Sequence, residues 1–155
     1  MTIRTWIRRL FARMPRTIRK EPALRRLRLE ALEGRWLPST FTVMDNSDSG
    51  SDSVSLRYLL GHVAAGSTID FAPAVRSITL TSNTTLTIGT SVSIVNDQGV
   101  GPVTISGNDS TTVFTVLGST TATLSGLTIT HGHTTDFGGG ILNQGTLTVS
   151  ASSCH

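Results

Sequence analysis

The side chains able to do acid–base, metal or nucleophilic chemistry in this sequence are few, and most fall into two clusters. Asp45, Asp48 and Asp52 place three carboxylates within eight residues. A calcium loop sets oxygen ligands at alternating positions, with glycine sixth and a bidentate acid twelfth. Counted from Asp45, Gly50 is sixth, but the third and fifth residues are Ser47 and Ser49 and the twelfth is Leu56. The segment reads instead as a solvated loop of Asx turns, in which each carboxylate bonds its own downstream backbone. The second cluster is His131-Gly-His133, whose i, i+2 spacing on a strand aims two rings the same way, as a metal would require. No third ligand accompanies them, so solvent-facing histidines at a corner are the expected reading. We assign no metal to either cluster; Asp45, Asp48, Asp52, His131 and His133 stand as its only candidates.

Catalytic sets are equally thin. Glycoside hydrolysis needs two carboxyl groups flanking one bond. Beyond residue 66 the sequence offers Asp70, Asp97, Asp109 and Asp136. Asp97 and Asp109 are expected on different sides of the fold. Removal of a carbon-bound proton from an acidic sugar needs a strong base and cations, yet no Lys or Arg follows Arg76. Cys154 is the single cysteine, which excludes an internal disulfide framework. No catalytic residue and no cofactor is expected.

The elements that must carry these residues are short. Apolar residues alternate with Thr or Ser in Phe41-Thr-Val43, Ile69-Asp-Phe71, Ile78-Thr-Leu80, Leu86-Thr-Ile88, Val92-Ser-Ile94 and Val103-Thr-Ile105. The pattern continues in Val113-Phe-Thr-Val116, Ala122-Thr-Leu124, Leu127-Thr-Ile129 and Leu147-Thr-Val149. Period two means one buried face and one wet face. Many tiny strands without two-residue hairpin turns indicate a coil that stacks on itself, a parallel β-solenoid. Leu127 to Leu147 is a spacing of 20 residues, taken as one turn, and three to four coils are expected. Asn83, Asn96, Asn108 and Asn143 fall at corners, where Asn tolerates left-handed backbone angles. Leu56, Leu59, Leu60 and Val63 mark one face of a short helix, capped by Ser55 and ended by Gly66. That helix is expected to cover the amino-terminal end of the solenoid, with Arg57 solvated or bonded to a loop.

Charge divides the chain. Residues 1–38 hold ten Arg and Lys20 against Glu21, Glu30 and Glu33, whereas the rest is acidic. Trp6, Ile7, Leu10, Phe11 and Met14 sit at helical spacing among arginines. This describes a basic arm, partly helical or disordered, over 1–38, and a solenoid over 39–155. The arm suits a targeting segment or contact with an anionic membrane surface; a nucleic-acid arm is the least favoured of the three. No stretch is long and apolar enough for a transmembrane helix.

Several segments resemble known families. Gly138 to Ser152, GGGILNQGTLTVSAS, is similar to the GG-x-I…N repeat of polymorphic-outer-membrane-protein-like chains, which are right-handed parallel β-helices of the pectin-lyase-like kind. Asp48-Ser-Gly50, Ser55-Leu-Arg57 and Gly66-Ser-Thr-Ile-Asp-Phe71 resemble the opening segment of proteins with a Cys-Ser-Leu-Arg-Glu-Ala-Ile motif. Here Val54 stands for the Cys and Tyr58-Leu59-Leu60 for Glu-Ala-Ile. Leu29-Glu-Ala-Leu-Glu-Gly-Arg35 looks like the leader of large surface β-helix proteins of environmental bacteria. The resemblances imply an all-β, right-handed parallel β-helix in an extracellular or cell-envelope setting. They imply a non-catalytic structural or adhesive scaffold that meets glycans or envelope components through Ser/Thr hydroxyls. The alternatives are the first part of a carbohydrate-active, pectate-lyase-like enzyme with catalytic coils beyond residue 155, or a truncated frame without a function of its own. Because no cap follows Leu147-Thr-Val149, self-association through the carboxy-terminal end is also expected.

Overall fold

A computed structural model describes residues 37–99, 101–135 and 138–155. The basic arm expected over 1–38 lies outside the described residues except for its last two. Strand β1 (Thr40–Val43) precedes helix α1 (Leu56–His62). Strands β2 (Ser67–Phe71), β3 (Ser77–Thr79), β4 (Leu86–Ile88), β5 (Val92–Val95), β6 (Val103–Ser106) and β7 (Phe114–Val116) follow. The chain continues through β8 (Thr121–Ser125), β9 (Leu127–Thr130), β10 (Ile141–Asn143), β11 (Thr146–Ser150) and β12 (Ser153–Cys154).

These strands form three sheets. Sheet A has the order β1-β2-β5-β8-β11, sheet B β3-β6-β9-β12 and sheet C β4-β7-β10. Every pairing is parallel, and from β2 onward the chain visits the sheets in turn, A then B then C. The result is a parallel β-solenoid of about four turns with one short helix.

The alternating sequence explains the stacking. In β2, β5, β6, β7 and β9 the apolar positions are buried and the intervening ones partly exposed. Like then stacks on like: Ile69, Ile94 and Leu124 form one inward file in sheet A, and Ile78, Ile105 and Ile129 another in sheet B. All six are at most 1% exposed. Burying each contributes roughly 1.5–3 kcal/mol, which is how strands of three to five residues hold together.

Three expectations need correction. One turn is not the 20 residues from Leu127 to Leu147: those two belong to different sheets, and Leu147 pairs with Ala122, 25 residues back. The matching Leu-Thr pattern recurs in every sheet, so similarity alone cannot identify the stacking partner. Gly66 does not end the helix. Val63 is its C-cap, donating its N–H to the Leu59 carbonyl, while Gly66 (φ 83°) leads into β2 beside Pro38. Of the corner asparagines, Asn83 (φ 53°) and Asn108 (φ 56°) are left-handed, but Asn96 and Asn143 are not. Those two use their side chains instead: Asn96 Nδ2 donates to the carbonyls of Gly101 and Gly126, and Asn143 Oδ1 accepts from Gly145 N–H. Strands β10 and β12 were not among the expected runs.

Candidate functional site

The acidic segment is built into the amino-terminal cap. Ser55 accepts the Tyr58 N–H at the start of α1, and Leu56, Leu59 and Leu60 bury one helix face against the core. The helix packs on β4 and β1, so it covers the end of the first full turn. Between β1 and α1, Asp45 accepts from the Ser47 N–H and hydroxyl, and Asp52 from the Val54 N–H. These are the expected Asx turns. The Ser47 hydroxyl and amide hold the Asp45 carboxyl below the ordinary aspartate range.

Asp48 departs from the expectation of a solvated loop. Its side chain is 0% exposed, and Oδ1 accepts from Arg57 Nε at 2.6 Å. Oδ2 accepts from the N–H of Thr81 at 2.9 Å, the N–H of Ser82 at 3.0 Å and the Ser82 hydroxyl at 2.7 Å. Arg57 Nη1 and Nη2 donate to the carbonyls of Thr85 (3.0 Å) and Thr84 (2.7 Å). Burial works to raise the Asp48 carboxyl; Arg57, the Ser82 hydroxyl and the two amides outweigh it and hold the group below its ordinary range. The Ser-Leu-Arg run thus has three structural duties: Ser55 caps, Leu56 fills the core and Arg57 clasps Asp48. Opposite charges nine residues apart, on either side of the N-cap Ser55, are the one sequence signal for the ion pair; nothing in the sequence marks the Thr81–Thr85 corner that completes it.

The histidines lie where sheet B turns towards sheet C. His131 takes a left-handed conformation (φ 51°), and its carbonyl accepts the Asp109 N–H. Its Nδ1 sits 2.8 Å from the Thr130 hydroxyl, and both histidines are exposed. Between them Gly132 meets the return of the loop: a β-carbon there would lie 1.9 Å from the Gly139 carbonyl oxygen. This backbone-to-backbone neck is one reason for the glycine run before β10. Among the described residues, no group of three His, Cys, Asp or Glu side chains is placed to hold a metal.

The other carboxylates are dispersed. Asp97 borders an open cleft of about 380 Å³ with Asn96, Gly99, Gly101, Pro102, Gly126 and Ala151, at the corner between sheets A and B. Asp109 lies at the next corner, between sheets B and C, so the two do indeed face different sides. Asp136 lies outside the described residues. Asp70 occupies an outward position of β2 opposite Thr42, and its Oδ1 is buried without a hydrogen-bond partner.

What the outer faces do share is hydroxyl. On sheet B the parallel register aligns Ser77, Thr104, Thr128 and Ser153 in one file and Thr79, Ser106 and Thr130 in a second. On sheet A, Thr40, Thr68, Ser93, Thr123 and Thr148 form a third. Neighbours within a file are spaced by the strand separation, about 4.8 Å. No family model matches the chain, and neither a curated protein nor a solved structure is significantly similar to it.

Proposed function

We propose that this chain is a non-catalytic structural or adhesive scaffold of a secreted or cell-surface β-helix protein, and that its hydroxyl-lined faces meet glycans. The observation that carries the reading is the pair of Ser/Thr files on sheet B, seven hydroxyls in regular register without a charged side chain among them. A file of donors and acceptors at strand spacing suits an extended, uncharged polymer better than a compact substrate. Elongated repeat surfaces bind in this distributed way. The GG-x-I…N and Ser-Leu-Arg resemblances support the surface setting.

Binding to a panel of immobilised glycans and insoluble polysaccharides tests the proposal. Thr104→Val and Thr128→Val keep the side-chain shape and remove two central hydroxyls, so they should weaken retention on whichever glycan binds. Absence of binding across the panel, or retention unchanged in the double variant, would overturn it.

A further inference from the structure

The corners between sheets A and B are unequal. Gly126 alone joins β8 to β9, and Ala151-Ser152 joins β11 to β12, but residues 96–102 stand between β5 and β6. The long corner is anchored at its base. Asn96 N–H donates to the Ser125 carbonyl and Val103 N–H to the Gly126 carbonyl, each a bond to the next turn. Asn96 Nδ2 closes the loop on the Gly101 carbonyl at 2.8 Å. The cleft of about 380 Å³ lies where this loop meets the short corners, lined by Gly99, Gly101 and Pro102 of the loop and by Gly126 and Ala151 of the next two turns. Gly99 (φ 67°) and Gly101 (φ 94°) hold left-handed angles, and a β-carbon on either would meet nothing within 4 Å. The loop side of the cleft is therefore largely bare backbone facing open space. An insertion at one corner of a repeating fold commonly carries its binding surface.

We propose that this cleft is a subsite for one amino-sugar residue, whose ammonium group meets the Asp97 carboxylate. Asp97 is the one charged residue among the described residues that line the cleft, and none of them donates a hydrogen bond to its side chain. No Lys or Arg follows Arg76 in the sequence, so the later turns bring no cation of their own to it. A lone acid at a binding surface selects a cationic group, through charge-assisted hydrogen bonds and complementary potential. The volume is at the small end of ligand sites and suits a single ring rather than a polymer. That the cation is carried by a sugar rests on the glycan reading above, because the cleft adjoins the sheet B files: Thr104 stands two residues beyond Pro102, and Thr128 two beyond Gly126. The files meet the uncharged length of the chain. The cleft adds the one charged residue, and with it a selectivity that a row of hydroxyls lacks.

The test titrates the whole 155-residue polypeptide with glucosamine, N-acetylglucosamine, glucose and ethylammonium, followed by the amide NMR signals of Gly99, Gly101 and Gly126. Glucosamine should shift these signals with a Kd about fivefold or more below those of the two neutral sugars, the worth of one exposed charge pair. Ethylammonium, which lacks the ring, should bind more weakly than glucosamine. Asp97→Asn keeps the side-chain shape and should remove the preference. Asp109→Asn makes the same change in net charge at the corner between sheets B and C, and should leave the preference intact. Thr104→Val with Thr128→Val, which tests the hydroxyl files, should leave the monosaccharide titration unchanged, so the files and the cleft can fail separately. Equal affinity for the three sugars, no shift with any of them, a preference that survives Asp97→Asn or is lost equally in Asp109→Asn, or ethylammonium binding as tightly as glucosamine would overturn the proposal.

Discussion

Gly126 approaches Asn96 so closely at the corner between sheets A and B that a β-carbon on Gly126 would fall 2.3 Å from the Asn96 carbonyl oxygen. Gly126 also has φ 70°, in the left-handed region. Two requirements therefore coincide on one residue, conformation and clearance. They let β8 pass into β9 through a one-residue corner while the turns stay in register.

Gly126→Ala should accordingly destabilise the protein by about 3 kcal/mol or more, from a left-handed penalty of about 1–2 kcal/mol plus displaced backbone. Gly101→Ala is the internal control: Gly101 has φ 94°, but a β-carbon there meets nothing within 4 Å. It should cost only the conformational part. Ala151 takes φ 46° at the equivalent corner one turn later, so Ala151→Gly should be neutral or stabilising by up to about 1 kcal/mol. Urea unfolding of the three variants checks the order.

The clasp makes stability depend on acid. Asp48 has its carboxyl lowered in the folded chain relative to an unfolded value of about 3.9. A depressed folded-state value contributes stability that is fully present above the unfolded value and is lost as pH falls through the folded one. Wild type should therefore lose stability as pH falls below about 4. Asp48→Asn should be less stable at neutral pH, and the gap should narrow over the same range. Asp48→Ala removes the acceptor of four hydrogen bonds at a partly buried site, so it should cost about 1–3 kcal/mol at pH 7. Thermal unfolding of wild type, Asp48→Asn and Asp45→Asn between pH 2 and pH 7 is the measurement; a gap that stays constant through the whole range would exclude the clasp as its source.

The fold was legible in the sequence because burial has period two in every strand from β2 to β9, and short apolar–hydroxyl runs leave few other ways to bury one face. The turn length was not. Leu-Thr-Ile and Leu-Thr-Val are interchangeable as inward–outward–inward units, so the sequence does not say that β11 stacks on β8 rather than on β9. Strand β12 escaped notice because Ser153-Cys154 has one inward position, and its pairing with β9 places it, not its own composition. The clasp was hidden for a related reason. Asp48 reads as a turn residue among serines, and only the fold brings the Thr81–Thr85 corner to it. In contrast, Asp45 and Asp52 bond within their own loop, and those contacts follow from sequence distance alone.

The final prediction concerns how stability is distributed along one file. In sheet A the register stacks Phe41, Ile69, Ile94, Leu124 and Val149 inward, one per strand. Ile69, Ile94 and Leu124 are 0% exposed, Phe41 is partly buried at one end, and Val149 is 47% exposed at the other. In a quasi-one-dimensional stack each coil is stabilised by the coils it touches. Truncating a middle member leaves a cavity bounded on both sides, with Ile→Ala or Leu→Ala costing about 2–5 kcal/mol. Truncating Val149 opens no enclosed space and removes contacts on one side only, so Val149→Ala should cost less than about 1 kcal/mol. The profile of alanine substitutions should thus peak at Ile94 and Leu124 and fall towards the carboxy-terminal member, when each loss is divided by the number of carbons removed. Urea unfolding of the five variants at low protein concentration, where self-association is suppressed, measures it. A flat profile, with Val149→Ala as costly per carbon as Ile94→Ala, would mean that the last turn is as well supported as the middle ones and would refute the stacking argument.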